Sequence, residues 1–210
     1  QIVVDWEGGE YFSVHNITVP ATPVFPCDQV TWFSPEPTKE LFRRTIKVTG
    51  FNGNNSHVMF NIAKARLSMP EAITDAKAWF ASRKLPNGLF VWQGHAHGTF
   101  MGEMIGIAGL VNEFLMQSVG GVIRVFPCWN GDTDARFAGL RAQGGFLVSA
   151  AQVDGKVTRL EIRSTVGGAL RLQSPWPAIR MDGAALQPDA RGVVTVASRA
   201  GESMSFTSGE

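Results

Sequence analysis

The chain has few cysteines and no excess of charge of either sign. Its 210 residues include two cysteines, Cys27 and Cys128, too few for a disulfide framework or a zinc cluster, and we predict that both are buried thiols. The 19 basic and 18 acidic side chains nearly cancel, and no Lys/Arg run is present. We therefore predict no nucleic-acid partner and no anionic-membrane surface, and near-neutrality fits an uncharged ligand.

The sequence also lacks a long hydrophobic run. No stretch approaches the ~20 apolar residues that cross a bilayer, and no signal-peptide pattern is visible. Residues 1–33 hold no convincing helix, since Pro20, Pro23 and Pro26 interrupt them. Because a self-contained domain rarely opens in this way, we expect the fold to be completed by a missing N-terminal part of the same polypeptide or by another chain.

Four segments between residues 34 and 118 have the apolar period of amphipathic helices. Ser34, before Pro35, predicts the N-cap of the first, and Gly50 its end. The second spans residues 55–67 and is predicted to be buried on much of its circumference. The capping-box pattern of Ser68 to Glu71 predicts the start of the third.

The fourth helix is predicted from about Glu103 to Gln117. Gly102, Gly106 and Gly109 lower its helix propensity and suggest close approach of another backbone or a ligand. Its predicted apolar face consists of Met104, Ile107, Ala108, Val111, Phe114, Leu115 and Ser118.

After a break at Gly120-Gly121, apolar residues recur at every second position instead of at the spacing of a helix. Alternating segments are separated by turn signals such as Asp154-Gly155 and Asp182-Gly183. Short strands at this spacing indicate an antiparallel β-sandwich. The sequence thus predicts an α+β protein in two segments, a helical domain over residues 1–120 and a β-sandwich over residues 121–210.

Two stretches carry a family resemblance. The run EMIGIAGLVNEFLMQSVGGVIRVFPCW, followed by AGLRAQGGFLVSAAQVDGKVTRLEIRSTVGG, resembles the end of the catalytic domain and the following β-domain of glycoside hydrolase family 95. His15 with the segment PVFPCDQ resembles a loop of that family's barrel. The family comprises α-L-fucosidases and related α-L-galactosidases and has an (α/α)6 barrel flanked by β-domains. The resemblance implies that residues 1–120 are helices and loops of such a barrel.

The resemblance also implies inverting hydrolysis of an α-linked sugar in a glycan. Inversion needs a general acid and a base, with carboxyl groups about 6.5–9.5 Å apart. The family places its base-side Asp in a segment that matches this chain at Gly102, with Glu103 one position later. Glu103 at a helix N-terminus would stay ionised, as a base should, and it is the predicted catalytic residue. The alternative is that Glu103 is only a helix-terminal charge and the base is lost or relocated.

The candidate sugar contacts are His15, Trp92, Gln93, His95 and His97. His95 and His97, two positions apart in an extended loop, would lie on one side and could donate hydrogen bonds to hydroxyls. Trp92 is the candidate stacking surface, with core packing as the alternative, and His15 is either a site residue or a structural one. No metal site is predicted, because no further Cys/His cluster accompanies the histidines.

Two functions remain open. The chain is either the C-terminal portion of a glycosidase, with a glycan as its partner and without a cofactor, or a non-catalytic carbohydrate-binding or structural module of the same ancestry. The family resemblance implies a periplasmic or secreted bacterial protein.

Overall fold

The computed structural model describes residues 1–9, 19–49, 54–88, 91–92, 95–99, 101–129, 131 and 133–209, without the side chains of 54, 91–92, 95–99 and 101–104. Within these ranges the chain is an α+β protein with four α-helices and antiparallel sheets. It divides into two compact units, Gln1–Glu113 and Phe114–Glu210. The division falls inside the fourth helix, whereas the predicted domain boundary is at 120/121. None of the described helices is long and apolar enough to cross a membrane.

The helices of the first unit lie close to their predicted positions. Two predicted start signals are wrong. The first helix begins one residue after Pro35, and the hydroxyl of Ser34 accepts the Thr31 amide at 3.0 Å instead of capping the helix. The helices are α1 (Glu36–Val48), α2 (Asn54–Arg66), α3 (Ala72–Arg83) and α4 (Met101–Leu115).

Ser68 ends α2 instead of starting α3. It has a left-handed backbone (φ 51°), and its amide donates to the carbonyl of Ala65. The next amide, that of Met69, donates to the carbonyl of Lys64 at 2.9 Å. These two bonds form a Schellman motif, which satisfies the last carbonyls of α2. The predicted capping box is therefore absent, and α3 begins at Ala72 without a side-chain cap.

A proline-rich segment shares the first core with α1 and α2. No α-helix occurs in the described part of residues 1–33, as predicted; a single 3-10 turn spans Val19–Ala21. Cys27 is exposed between Val24 and Val30, which take the core positions, so the prediction of a buried thiol is wrong there. Cys128 is half-buried, and neither cysteine forms a disulfide. The core residues are Ala21, Val24, Val30, Phe42, Ile46, Phe60, Ala63, Leu67 and Met69.

The apolar face of α4 differs from the predicted one. Leu110 and Phe114 are buried, whereas the predicted face residue Val111 is exposed, as is Ala108. Gly106 explains the rotation, since a Cβ built there would lie 3.0 Å from Val58 Cγ1. Because Gly106 has no side chain, α4 can lie against the side chain of Val58 of α2 on this side.

The second unit is built from antiparallel strands, and the predicted turns at Asp154-Gly155 and Asp182-Gly183 are confirmed by positive φ angles. Two strands lie in the first unit, β1 (Val91–Trp92) and β2 (His95–Thr99). Those of the second unit are β3 (Met116–Gln117), β4 (Arg124–Val125), β5 (Ala135–Ala142), β6 (Phe146–Val153), β7 (Lys156–Ser164), β8 (Gly168–Gln173), β9 (Ile179–Met181), β10 (Ala184–Leu186), β11 (Val193–Ser198) and β12 (Ser203–Ser208). The hydrogen-bonded orders in the second unit are β10-β9-β12-β7-β6-β5, β11-β8 and β3-β4.

The end of the predicted fourth helix is wrong by two residues, because Met116 and Gln117 form β3. Gln117 pairs with Arg124 of β4 and accepts its guanidinium hydrogen bond at 3.1 Å. Gly120 and Gly121, with φ of 66° and 70°, make the predicted break between these strands. The short β-ladder thus outcompetes a last helical turn.

Residues from the six-stranded sheet and from β8 and β11 form one core. Leu160 and Ile162 of β7, and Leu170 and Leu172 of β8, are at most 1% exposed. The edges of the larger sheet are β5 and β10. The β5–β6 register shifts between Phe137 and Leu140, which marks a bulge in the edge strand.

Candidate functional site

The residues predicted from the sequence fall largely outside the described part of the chain. His15 and Gln93 lie outside the described residues, and the side chains of Trp92, His95, His97 and Glu103 are not described. For those four residues the structure gives the position of the backbone only.

That backbone forms a hairpin leading directly into α4. Trp92 of β1 is in register with His95 of β2, so the predicted loop is in part a short antiparallel pair. β2 is extended over His95–Thr99, and α4 begins at Met101, which puts Glu103 in its first turn. Two of the predicted positions, Trp92 and His95, are therefore neighbours across one ladder, and Glu103 follows within a few residues.

A buried arginine joins three segments of the first unit. Arg66, at the C-terminal end of α2, is 8% exposed. It donates to both carboxylate oxygens of Glu113 (α4) at 2.8 and 3.2 Å, to the carboxylate of Asp28 and, at 3.2 Å, to the carbonyl of Val24. Its guanidinium also lies 4.8 Å from the ring centroid of Phe25.

The pKa of Arg66 results from two opposing effects. Burial disfavours the charged guanidinium, but the hydrogen bonds and charges of Glu113 and Asp28 outweigh burial and raise the pKa above its ordinary value. Arg66 is therefore a permanent cation facing two carboxylates. Asp28, which lies in the segment that resembles a loop of the family's barrel, is bound to this cation.

A cleft of about 410 Å³ lies between α2 and α3. Lys64, near the C-terminal end of α2, contacts Asp75 near the start of α3, and His57 near the start of α2 stacks on Trp79. The two helices are therefore antiparallel. The cleft is lined by His57, Phe60, Asn61, Lys64, Asp75, Ala78, Trp79, Ser82 and Arg83.

The floor of the cleft is apolar and aromatic with one buried amide. The rings of His57 and Trp79 stack with centroids 5.1 Å apart and an interplanar angle of 21°. Asn61 is 3% exposed, and its Nδ2 donates to the carbonyl of His57 at 2.8 Å. Its Oδ1 is buried and has no hydrogen-bond partner in the described part of the chain.

The polar groups of the cleft carry a net positive charge. Lys64 Nζ lies 2.5 Å from Asp75 Oδ2, and Arg83 lies at the last position of α3. Burial, and then the charges of Arg83 and Lys64, lower the pKa of His57 from 6.5 to about 4, against the opposing effect of Asp75. His57 is therefore neutral at pH 7, and the cleft has two cations and one anion.

Sequence reasoning missed both clusters. Arg66 occupies the apolar face of α2 beside Ile62, and an arginine on such a face is a signal for a buried ion pair. His57, Asn61 and Lys64 recur at the spacing of one helix face, which could have indicated a polar groove. Neither signal identifies the partner residues. Among the described residues, no group of three or more His, Cys, Asp or Glu is placed to hold a metal ion.

Comparison of the sequence with protein-family models gives no match, and comparison with curated proteins gives none either.

Proposed function

We propose that this chain is the C-terminal portion of a glycoside hydrolase that cleaves α-linked sugars of the α-L-fucoside or α-L-galactoside type from glycans, with inversion. The observation that carries the proposal is the combined resemblance of residues 100–168 to glycoside hydrolase family 95. From the same resemblance we propose that α1–α4 belong to an (α/α)6 barrel and that residues 121–210 form a β-sandwich. The resemblance also supports a periplasmic or secreted location.

The backbone of the hairpin and α4 supports this proposal. Glu103 lies in the first turn of a fifteen-residue helix, where the helix N-terminus favours a negative charge. In the proposed mechanism Glu103 takes a proton from the water that attacks the anomeric carbon, while a general acid from elsewhere in the polypeptide protonates the leaving oxygen. Trp92 and His95, paired across the hairpin, supply the sugar contacts.

The contacts of Arg66 also support the proposal. The segment around Asp28, which resembles the family's active-site loop, is held to α2 and to Glu113 of α4 through one guanidinium. Glu113 lies ten positions beyond Glu103 on the same helix. A loop and a helix that both contribute to a sugar site need such fixed placement, because catalysis depends on geometry within a fraction of an ångström.

The test is the Glu103→Gln variant in the full polypeptide, assayed on aryl α-L-fucoside and α-L-galactoside. Loss of the base should lower kcat by about 10²–10⁴-fold, with thermal stability nearly unchanged. Glu40→Gln, at a half-exposed position of α1, is the matched control and should retain full turnover. Unchanged turnover in Glu103→Gln would remove Glu103 from the mechanism.

A second function is favoured by one observation. The position that matches the family's catalytic Asp is Gly102, which has no side chain. A chain that has lost its base would bind glycans without hydrolysing them. Glycan binding by the full polypeptide, without turnover in either the parent or the Glu103→Gln variant, would establish this non-catalytic module.

A further inference from the structure

The α2–α3 cleft has the composition of a ligand site, and it involves none of the residues assigned to sugar hydrolysis. Its volume of about 410 Å³ falls within the range of small-molecule pockets. Its lining repeats along both helices, with His57, Asn61 and Lys64 on one. Residues 75, 78, 79, 82 and 83 lie opposite on the other. The cleft is thus built from two regular elements, which hold its polar groups at defined positions.

Asn61 defines one requirement of a ligand. An amide oxygen that is buried without a partner costs on the order of 1–3 kcal/mol, so native proteins seldom leave one unsatisfied. The Nδ2 of Asn61 is already engaged with the His57 carbonyl, which leaves Oδ1 as an acceptor. A group that fills the cleft to its floor must therefore present an O–H or N–H donor.

The charges define the second requirement. Lys64 and Arg83 contribute two positive charges and Asp75 one negative charge, while His57 is neutral at pH 7. A ligand with one negative charge brings the net charge of the cleft to zero. The planar fork of Arg83 matches a carboxylate, which accepts two parallel hydrogen bonds from a guanidinium. A doubly charged phosphate would leave one negative charge uncompensated and would be repelled by Asp75.

We propose that the α2–α3 cleft binds a small hydroxycarboxylate of about monosaccharide size, such as a sugar acid. Its carboxylate pairs with Arg83, and a hydroxyl donates to Asn61 Oδ1. Asp75 and Ser82 are within the same lining and provide further partners for hydroxyl groups. The site does not depend on the proposed glycosidase activity.

The experiment is an NMR titration of the 210-residue chain at about pH 8 with D-glucuronate. D-glucose is the uncharged comparison, and inorganic phosphate, which is mainly dianionic at this pH, is the doubly charged one. Glucuronate should bind saturably and shift the indole N–H of Trp79 and the side-chain amide of Asn61. The bound carboxylate should also raise the pKa of His57, which lies beside Arg83. Glucose and phosphate should bind at least about tenfold more weakly, since each lacks part of the charge balance.

Two variants keep the proposal falsifiable. Arg83→Gln should weaken glucuronate binding by about 10- to 100-fold, the usual effect of losing a charge-assisted bidentate pair. Arg44→Gln, a half-exposed arginine on α1, is the matched control and should bind as the parent does. Ser82→Trp, at an exposed position on the rim, should block the cleft without altering its charges.

The proposal is overturned by any of four results. These are the absence of saturable glucuronate binding, equal affinity for glucose, tighter binding of phosphate, and undiminished binding by both Arg83→Gln and Ser82→Trp. The first of these would mean that ordered water alone satisfies Asn61.

Discussion

At the scale of single residues, Arg66 decides how the proline-rich segment, α2 and α4 are held together. Its partners are unequal, since the side chain of Glu113 is 18% exposed and that of Asp28 is 38% exposed. Coulomb attraction is screened less where water is excluded. Glu113 is therefore the stronger partner, and Asp28 contributes mainly by anchoring its loop.

Arg66→Met should destabilise the protein by about 2–4 kcal/mol, because it leaves two partly buried carboxylates without their cation. Glu113→Gln should cost less, about 1 kcal/mol, since the amide still accepts a hydrogen bond. In the double variant the losses should not add, and the coupling free energy from urea unfolding should be about 1–2 kcal/mol. Strict additivity would show that the ion pair contributes nothing beyond packing. Of the three single variants, Asp28→Asn should lower the free energy of unfolding least.

His57 makes stability depend on pH. Its pKa is about 4 in the folded chain and 6.5 ordinarily, so between these values the unfolded chain binds a proton that the folded chain does not. Stability is then fully present above pH 6.5 and is lost as the pH falls towards 4, by at most about 3 kcal/mol. Arg83 and Lys64 reinforce this loss, and Asp75 opposes it.

The check is thermal unfolding from pH 7 to pH 4.5 for the parent and for His57→Phe, which keeps an aromatic ring against Trp79 but cannot titrate. The parent should lose more stability than the variant over this range. Parallel curves would contradict the assigned pKa.

At the scale of elements, two glycines of α4 offer a matched pair. A Cβ at Gly109 would meet no atom of the described residues within 4 Å, whereas one at Gly106 would lie 3.0 Å from Val58 Cγ1. Gly109→Ala should therefore stabilise the protein by about 0.5–1 kcal/mol, the helix-propensity gain. Gly106→Ala should gain nothing or destabilise, because Val58 is β-branched and has little rotamer freedom in a helix. Equal gains, measured by chemical denaturation, would mean that α4 does not press on α2 at this point.

The periodicity of apolar residues predicts that a helix or strand exists, but it does not predict where the element begins and ends. The apolar repeats of α1–α3 predicted those helices correctly, and the alternation after Gly120-Gly121 correctly predicted strands there. Ser68 failed as a start signal because the same residue type can occupy a left-handed C-terminal position. The face of α4 was misassigned because a glycine contributes no hydrophobicity, yet Gly106 marks the side of closest approach.

The sites were less predictable than the elements for a different reason. Arg66 meets Asp28 across 38 positions and Glu113 across 47, so no local pattern could pair them. The same holds for the strand order, where β12 is inserted between β9 and β7. The family resemblance directed attention to Glu103, His15 and the β1–β2 hairpin, whose side chains lie outside the described part of the chain, and their assignment stays a prediction.

At the scale of the whole molecule, each unit has a core of its own. In the described part of the chain, the buried residues of the second core run from Met116 to Phe206. Residues 114–210 expressed alone should therefore fold cooperatively, as judged by a single urea transition followed through the fluorescence of Trp129 and Trp176. Leu160→Ala in this fragment should lower stability by about 2–5 kcal/mol, because Leu160 is 1% exposed and its loss leaves a cavity. A fragment without a cooperative transition would show that the second core needs the rest of the chain.

The bulge in β5 has a consequence for the behaviour of the protein at high concentration. An edge strand with a regular ladder can pair with the same strand of another molecule and seed ordered aggregates. In β5 the ladder is interrupted between Phe137 and Leu140, and Arg136 and Arg141 place like charges along the same edge. At the opposite edge, β10 is only three residues long. Both ends of the sheet are thus poor templates for fibril growth, so a unit dominated by β-structure can remain dispersed where a flat sheet would stack.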